Sequence, residues 1–168
     1  MLMIPLLILA LLSCELWELA ALFAAVLVHE LGHIVALRLC GVRLRRVHLG
    51  MTGAVIDCSA LTTAADEIAV AAAGSIAGLL WALLLSCVSL PHGCYAGEVS
   101  AVLSLFNLLP VPLLDGGRIF LALGGSERAL RLCGLFCLLA LLALCLRLRF
   151  WYSIPALLLL SAECLPPL

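Results

Sequence analysis

His29-Glu30-Leu31-Gly32-His33 gathers two imidazoles and a carboxylate within one short stretch of chain. Residues four apart project from the same face of a helix, so both histidines can reach a single ion. This H-E-x-x-H pattern is that of hydrolytic zinc chemistry: the imidazoles hold the metal and Glu30 takes a proton from a water beside it. A catalytic zinc ion usually has three protein ligands, so the motif leaves the set one short. The other two histidines, His48 and His92, are poor candidates for the third place because they fall in expected loops on opposite sides of the chain's apolar segments.

Among the carboxylates, Asp115 is distinguished by its surroundings. It stands in Asn107-Leu108-Leu109-Pro110-Val111-Pro112-Leu113-Leu114-Asp115-Gly116-Gly117, an apolar stretch interrupted by two prolines and two glycines. Each proline removes a backbone donor and breaks the helix, while the glycines let the backbone come close to a neighbour. Unwound chain at membrane depth is tolerated only where it is buried in protein or lines a watery cavity. A carboxylate there calls for a cation, either a metal held with the two imidazoles or the nearby Arg118 guanidinium.

The elements that must position these groups read as membrane spans. Of 168 residues, 66% are hydrophobic and 11% charged, with a mean hydropathy of +1.30; soluble domains run near 45–50% apolar and about 25% charged. The apolar runs are 2–14, 19–39, 66–90, 98–122 (interrupted), 129–146 and 150–165. Since a spanning helix takes about 20 residues, they predict about five or six crossings, some of them short or tilted. The motif lies inside the second run, and ionisable groups in hydrocarbon are costly unless they are paired or do chemistry.

The nine basic residues are all arginines; the net charge of −1 says nothing about nucleic acid, but no basic patch with interleaved aromatics appears, so no nucleic-acid partner is expected. Arg38, Arg43, Arg45 and Arg46 follow the motif helix, and Arg118, Arg128 and Arg131 follow the interrupted segment. By the positive-inside rule both regions face the cytoplasm, which sets the motif toward the cytoplasmic half of the bilayer. The arginine-free loop 91–97 falls outside; Arg147 and Arg149 violate the rule if the last two runs both cross. Residues 42–63 carry strand formers such as Val47, Leu49 and Val55-Ile56 around the turn signal Gly50-Met51-Thr52-Gly53, which predicts a small membrane-associated β-hairpin. Thr63-Ala64-Ala65-Asp66 has capping-box-like spacing and opens the next helix. The nine cysteines are scattered and include no C-x-x-C, so they support neither a disulfide framework nor a thiolate zinc site.

His29-Glu30-Leu31-Gly32-His33 together with Asn107-x-x-Pro110-x-x-x-Leu114-Asp115-Gly116-Gly117 resembles the site-2 protease family of intramembrane zinc metalloproteases (peptidase M50). The compact chain is most similar to the sporulation branch, which processes a membrane-tethered pro-sigma factor. The resemblance covers a core of about 19–125 within a single transmembrane metalloprotease domain spanning 1–168. It implies His29, His33 and Asp115 as ligands of one Zn2+ per chain, Glu30 as catalytic general base and acid, and Asn107 as a substrate-binding residue. It implies a membrane-tethered protein substrate such as a pro-sigma or anti-sigma factor and a place in the bacterial cytoplasmic membrane. It leaves an inhibitory membrane protein open as a further partner. Two departures stand out. The family often has Ala-Gly-Pro on the helix after the hairpin, where this chain has Ala73-Gly74-Ser75, with Gly74 and Gly78 spaced for close helix packing. The sequence is also expected to carry no nucleotide-sensing CBS domain and no PDZ domain.

On this reading the zinc-activated water attacks the scissile carbonyl while Glu30 shuttles the proton to the leaving amine. The hairpin would pair with the unwound substrate by strand addition. Competing readings are a catalytically silent relative that binds membrane segments, against which the intact Glu30 argues, and a metal transporter. Transport predicts polar positions repeated along several helices, and 66–90 and 129–146 offer almost none.

Overall fold

The computed structural model describes residues 15–42, 44–50, 53–58, 63–88 and 92–147, with single positions at 157, 161 and 164; over 44–58 only the backbone is described. The expected runs 2–14 and 150–165 lie outside the described residues, apart from those three positions. In chain order the elements are α1 (Leu16–Leu39), β1 (Leu44–Gly50), β2 (Gly53–Cys58), α2 (Ala64–Cys87), α3 (Gly93–Asn107), α4 (Asp115–Ala122) and α5 (Glu127–Arg147).

Three of these, α1, α2 and α5, are long and apolar enough to cross a membrane. The interrupted run 98–122 forms no continuous span. It becomes the 15-residue α3 and the 8-residue α4, because the two prolines break the backbone ladder between them. The outward sides of the long helices are hydrocarbon: Phe23 is 71% exposed, Leu80 61% and Leu139 51%. Side chains of this kind on every long helix suit lipid rather than water as the surrounding solvent.

The chain divides into two units, Met1–Phe106 and Asn107–Leu168. In the first, α1 buries one line of side chains, Ala25, His29, His33 and Leu37. They follow each other at four-residue intervals, so the histidines lie on the face that meets protein and the leucines on the other faces meet the surroundings. Gly41, at φ +71°, ends α1 in the left-handed conformation, and the Val42 N–H donates back to the Leu37 carbonyl at 3.0 Å. The backbone then forms β1 and β2, paired antiparallel from Leu44 opposite Cys58 to Gly50 opposite Gly53, with an irregularity between Leu44 and Arg46.

Thr63 caps α2: its hydroxyl accepts from the Asp66 N–H at 3.1 Å and donates to the Asp66 carboxylate at 2.7 Å. This is the spacing read from the sequence, with the Asp66 carboxylate bonded to the Thr63 hydroxyl. α2 returns antiparallel to α1, since successively earlier residues of α1 meet later ones of α2. Ser75, in the place where the family motif often has proline, is fully buried, and the helix runs through it without a break to Cys87.

α3 begins within the expected loop 91–97, which is a correction to the sequence reading. Gly93 and Gly97, both inside that expected loop, are buried in the helix. A Cβ on Gly97 would stand 3.1 Å from the Ala82 carbonyl oxygen, so that glycine serves close helix contact instead of a turn. Farther along, the Ser100 hydroxyl donates to the Gly78 carbonyl at 2.9 Å and the Ser104 hydroxyl to the Ser100 carbonyl at 2.8 Å. At the start of α3, His92 stacks on Trp17 with ring centroids 4.1 Å apart, and Tyr95 meets the same indole edge-on at 4.8 Å.

In the second unit, residues 108–114 fold back on the start of α4. The Val111 N–H donates to the Leu109 carbonyl at 2.8 Å and the Leu114 N–H to the Val111 carbonyl at 3.0 Å. Val111 is completely buried. Gly134 of α5 lies under this loop, where a Cβ would be 2.9 Å from the Pro110 carbonyl oxygen and 3.3 Å from the Val111 Cα. Ser126 opens α5 by accepting from the Ala129 N–H at 3.2 Å.

Candidate metal centre

One turn of α1 brings the His29 and His33 side chains together. Their Nε2 atoms are 3.1 Å apart, the rings meet edge-to-face at 4.7 Å between centroids, and both residues are buried. Two imidazole nitrogens that converge on one point are the geometry needed to share an ion. The remaining nitrogen of His33 is also fixed. Its Nδ1 lies 2.8 Å from the Val70 carbonyl oxygen; a carbonyl only accepts, so Nδ1 carries the proton and donates. The neutral ring then presents a lone pair at Nε2, the atom that faces His29. Metal-bound histidines characteristically hold their orientation by such a bond from the far nitrogen.

Glu30 stands between the pair in sequence and is half-buried on α1. Its helical position turns it about 100° away from His29, alongside the histidine line and not in it. This placement sets a carboxylate beside the two imidazoles.

Asp115 is the first residue of α4 and is buried. The approach of the chain to it depends on the two glycines that follow. A Cβ on Gly116 would collide with the Leu108 and Leu109 carbonyls, and one on Gly117 would lie 2.9 Å from the Val111 carbonyl carbon. A carboxylate in the first turn of a helix is favoured by the exposed N–H groups and the helix dipole. The sequence left open a pairing with Arg118. Among the described residues no ion pair joins the two, and the Arg118 side chain is exposed.

Asn107 is the last residue of α3 and half-buried. His92 is taken up by the stack on Trp17, twelve residues before His29 on α1, or about 18 Å along the helix. That separation removes it from the histidine pair within the first unit. His48 lies on β1, where side chains are outside the described residues. The sequence reading passed over Gly74 and Val70, the α2 residues against which the His33 ring lies; only Gly74 carried a signal, as half of a packing motif.

At the other end of the α1–α2 contact, Cys40 follows the last turn of α1 and lies beside Asp66. Burial, and secondarily the Asp66 carboxylate, push its thiol above the ordinary cysteine range.

The sequence profile of peptidase family M50 matches residues 17–95, which include α1, the paired strands and α2 but stop short of Asn107 and Asp115. Among solved structures, the site-2 protease from Methanocaldococcus jannaschii is similar, with a TM-score of 0.71 and 22% sequence identity. The similarity covers 96% of this chain and 83% of that one. At that identity the likeness is one of fold. A comparison with curated proteins found no matching sequence.

Proposed function

We propose that this protein is an intramembrane zinc endopeptidase, hydrolysing a peptide bond in or near a transmembrane segment of a membrane-tethered protein. The observation that carries the reading is the convergence of His29 and His33 through Nε2, with Glu30 between them, on a buried line of a helix apolar enough to span a bilayer. The M50 match over this helix and the site-2 protease fold support it.

Asp115 is proposed as the third ligand, so that His29, His33 and Asp115 each offer one atom to a single Zn2+ ion. Two imidazoles and one carboxylate suit zinc in number and in ligand type, and leave a fourth position for water. When bound, zinc lowers the pKa of that water toward about 7 and polarises the scissile carbonyl. Glu30 accepts the proton and passes it to the leaving amine, a role for a carboxylate that is not itself a ligand. Asn107, at the last turn of α3, engages the substrate backbone, whose peptide groups must leave their own helix before they can be attacked.

The substrate class assigned is a membrane-tethered regulatory protein of the pro-sigma or anti-sigma type, in the bacterial cytoplasmic membrane, with the site toward the cytoplasmic half. The arginine distribution and the resemblance to the sporulation branch support this assignment. The test is a pair of measurements on purified wild type, Glu30→Gln and Asp115→Ala. Wild type and Glu30→Gln should hold about one zinc per chain and Asp115→Ala much less. Only wild type should cut a single-span tethered reporter. Cleavage that survives Glu30→Gln, or zinc held as tightly by Asp115→Ala, would overturn the assignment of these roles.

A further inference from the structure

α2 supplies no proposed ligand, yet it meets the His33 ring at two points. The Val70 carbonyl accepts the Nδ1 proton at 2.8 Å. Gly74 lies against the face of the ring at its Nε2 end: a Cβ there would be 2.9 Å from Cδ2, 2.6 Å from Cε1 and closer still to Nε2. These two residues are one helical turn apart and are linked, since regular α-helical bonding gives the Val70 carbonyl the Gly74 N–H as its partner. A carbonyl oxygen has two lone pairs, so one oxygen can serve both the Gly74 amide and the imidazole.

The backbones also come close at this level. A Cβ on Gly32, the residue before His33, would lie 2.6 Å from the Ala73 carbonyl oxygen, 2.8 Å from the Ala77 Cβ and 3.0 Å from the Gly74 Cα. The imidazole is thereby laid flat on bare backbone between residues 70 and 74, and no side chain at 74 could be added without turning the ring. Gly78, the other half of the G-x-x-x-G pair, faces the Ser104 hydroxyl and does not touch the histidines.

We infer that Gly74 and the Val70 carbonyl form a backbone seat for His33, which fixes its tautomer and aims Nε2 at the metal position, making Gly74 a positioning residue and not only a packing one. The inference rests on the proposal that His33 is a metal ligand. The two glycines of one motif thus have separate roles, Gly78 setting the α2–α3 contact and Gly74 the geometry of a ligand on α1.

The test uses the full chain in detergent, loaded with Co2+ as a spectroscopic probe, in wild type, Gly74→Ala and Gly78→Ala. Gly74→Ala should weaken Co2+ binding by about 10–100-fold, the usual effect of losing an outer-sphere orienting contact, and should change the visible d–d bands. Gly78→Ala should keep wild-type affinity and bands even where its thermal stability falls. Wild-type bands and affinity in Gly74→Ala would overturn the seat. A measurement on metal-free wild type covers the case in which Gly74→Ala does not fold. With 15N-histidine, His33 should show a protonated Nδ1 and an unprotonated Nε2, and the reverse tautomer would overturn the inference. If wild type binds no Co2+ while the His33 tautomer is as expected, the metalloprotease reading fails and the seat stands as a structural feature.

Discussion

The histidine pair and the aspartate segment place acidic and basic groups in apolar surroundings by opposite means. On α1 the positions are set by helical register alone: four residues separate His29 from His33, and an unbroken helix brings their nitrogens to 3.1 Å. Around Asp115 the helix is abandoned. Two prolines, a buried Val111 and two glycines pressed against carbonyls hold the chain in a shape that no local periodicity encodes. A register-built arrangement is tolerant, since each residue relies on its own helix. A fold-back is unforgiving, because backbone meets backbone and neither can rotate away.

This contrast orders the expected consequences of adding a single methyl group. Gly116→Ala should have the largest effect, because its Cβ would meet the Leu108 and Leu109 carbonyls; a loss of about 3 kcal/mol or more, or failure to fold, is expected. Unfolding in mixed detergent micelles would measure it, and near-wild-type stability would break the comparison. Gly78→Ala should cost less, about 1–2 kcal/mol, because the obstacle is the Ser104 hydroxyl, a side chain that can turn aside or be removed. Adding Ser104→Ala should recover part of that loss, whereas no side-chain truncation should recover Gly116→Ala.

Smaller effects sharpen the picture on the helical side. Ser100→Ala deletes the bond to the Gly78 carbonyl and should destabilise by about 0.6 kcal/mol, the average found for hydrogen bonds between membrane helices. A larger loss would mean that α3 is held by polar contacts more than by the glycine packing. At the surface end, Cys40 should be alkylated more slowly at neutral pH than the exposed Cys87 and Cys94. Its raised pKa leaves less thiolate at a given pH, so its rate should climb with pH over a more alkaline range. Asp66→Asn removes the charge that contributes to that shift and should speed Cys40 labelling a few-fold; an unchanged rate would leave burial as the sole cause.

The candidate chemistry was legible in the sequence because its densest part is local. H-E-x-x-H needs only helix periodicity to become a convergent pair, and composition alone marked the long apolar helices. The Thr63–Asp66 cap was equally readable, being complete within four residues. The break in 98–122 was visible in Pro110 and Pro112, although not the short lengths of α3 and α4 that result. The loop expected at 91–97 is helical from Gly93 on, and its glycines do not reveal this, since a glycine that permits a turn and a glycine that permits a helix to pack look alike in a sequence. Which of the two it does depends on whether another backbone stands opposite, and for Gly97 it is the Ala82 carbonyl.

The sequence by itself determined that the chain is apolar, predominantly helical and equipped with two histidines and a glutamate one turn apart, because these follow from composition and from the 3.6-residue period. Only the tertiary structure decided which nitrogen of His33 holds the proton and which residue lies beneath its ring. Those depend on Val70 and Gly74, about forty residues away in sequence and adjacent only once α2 has packed on α1.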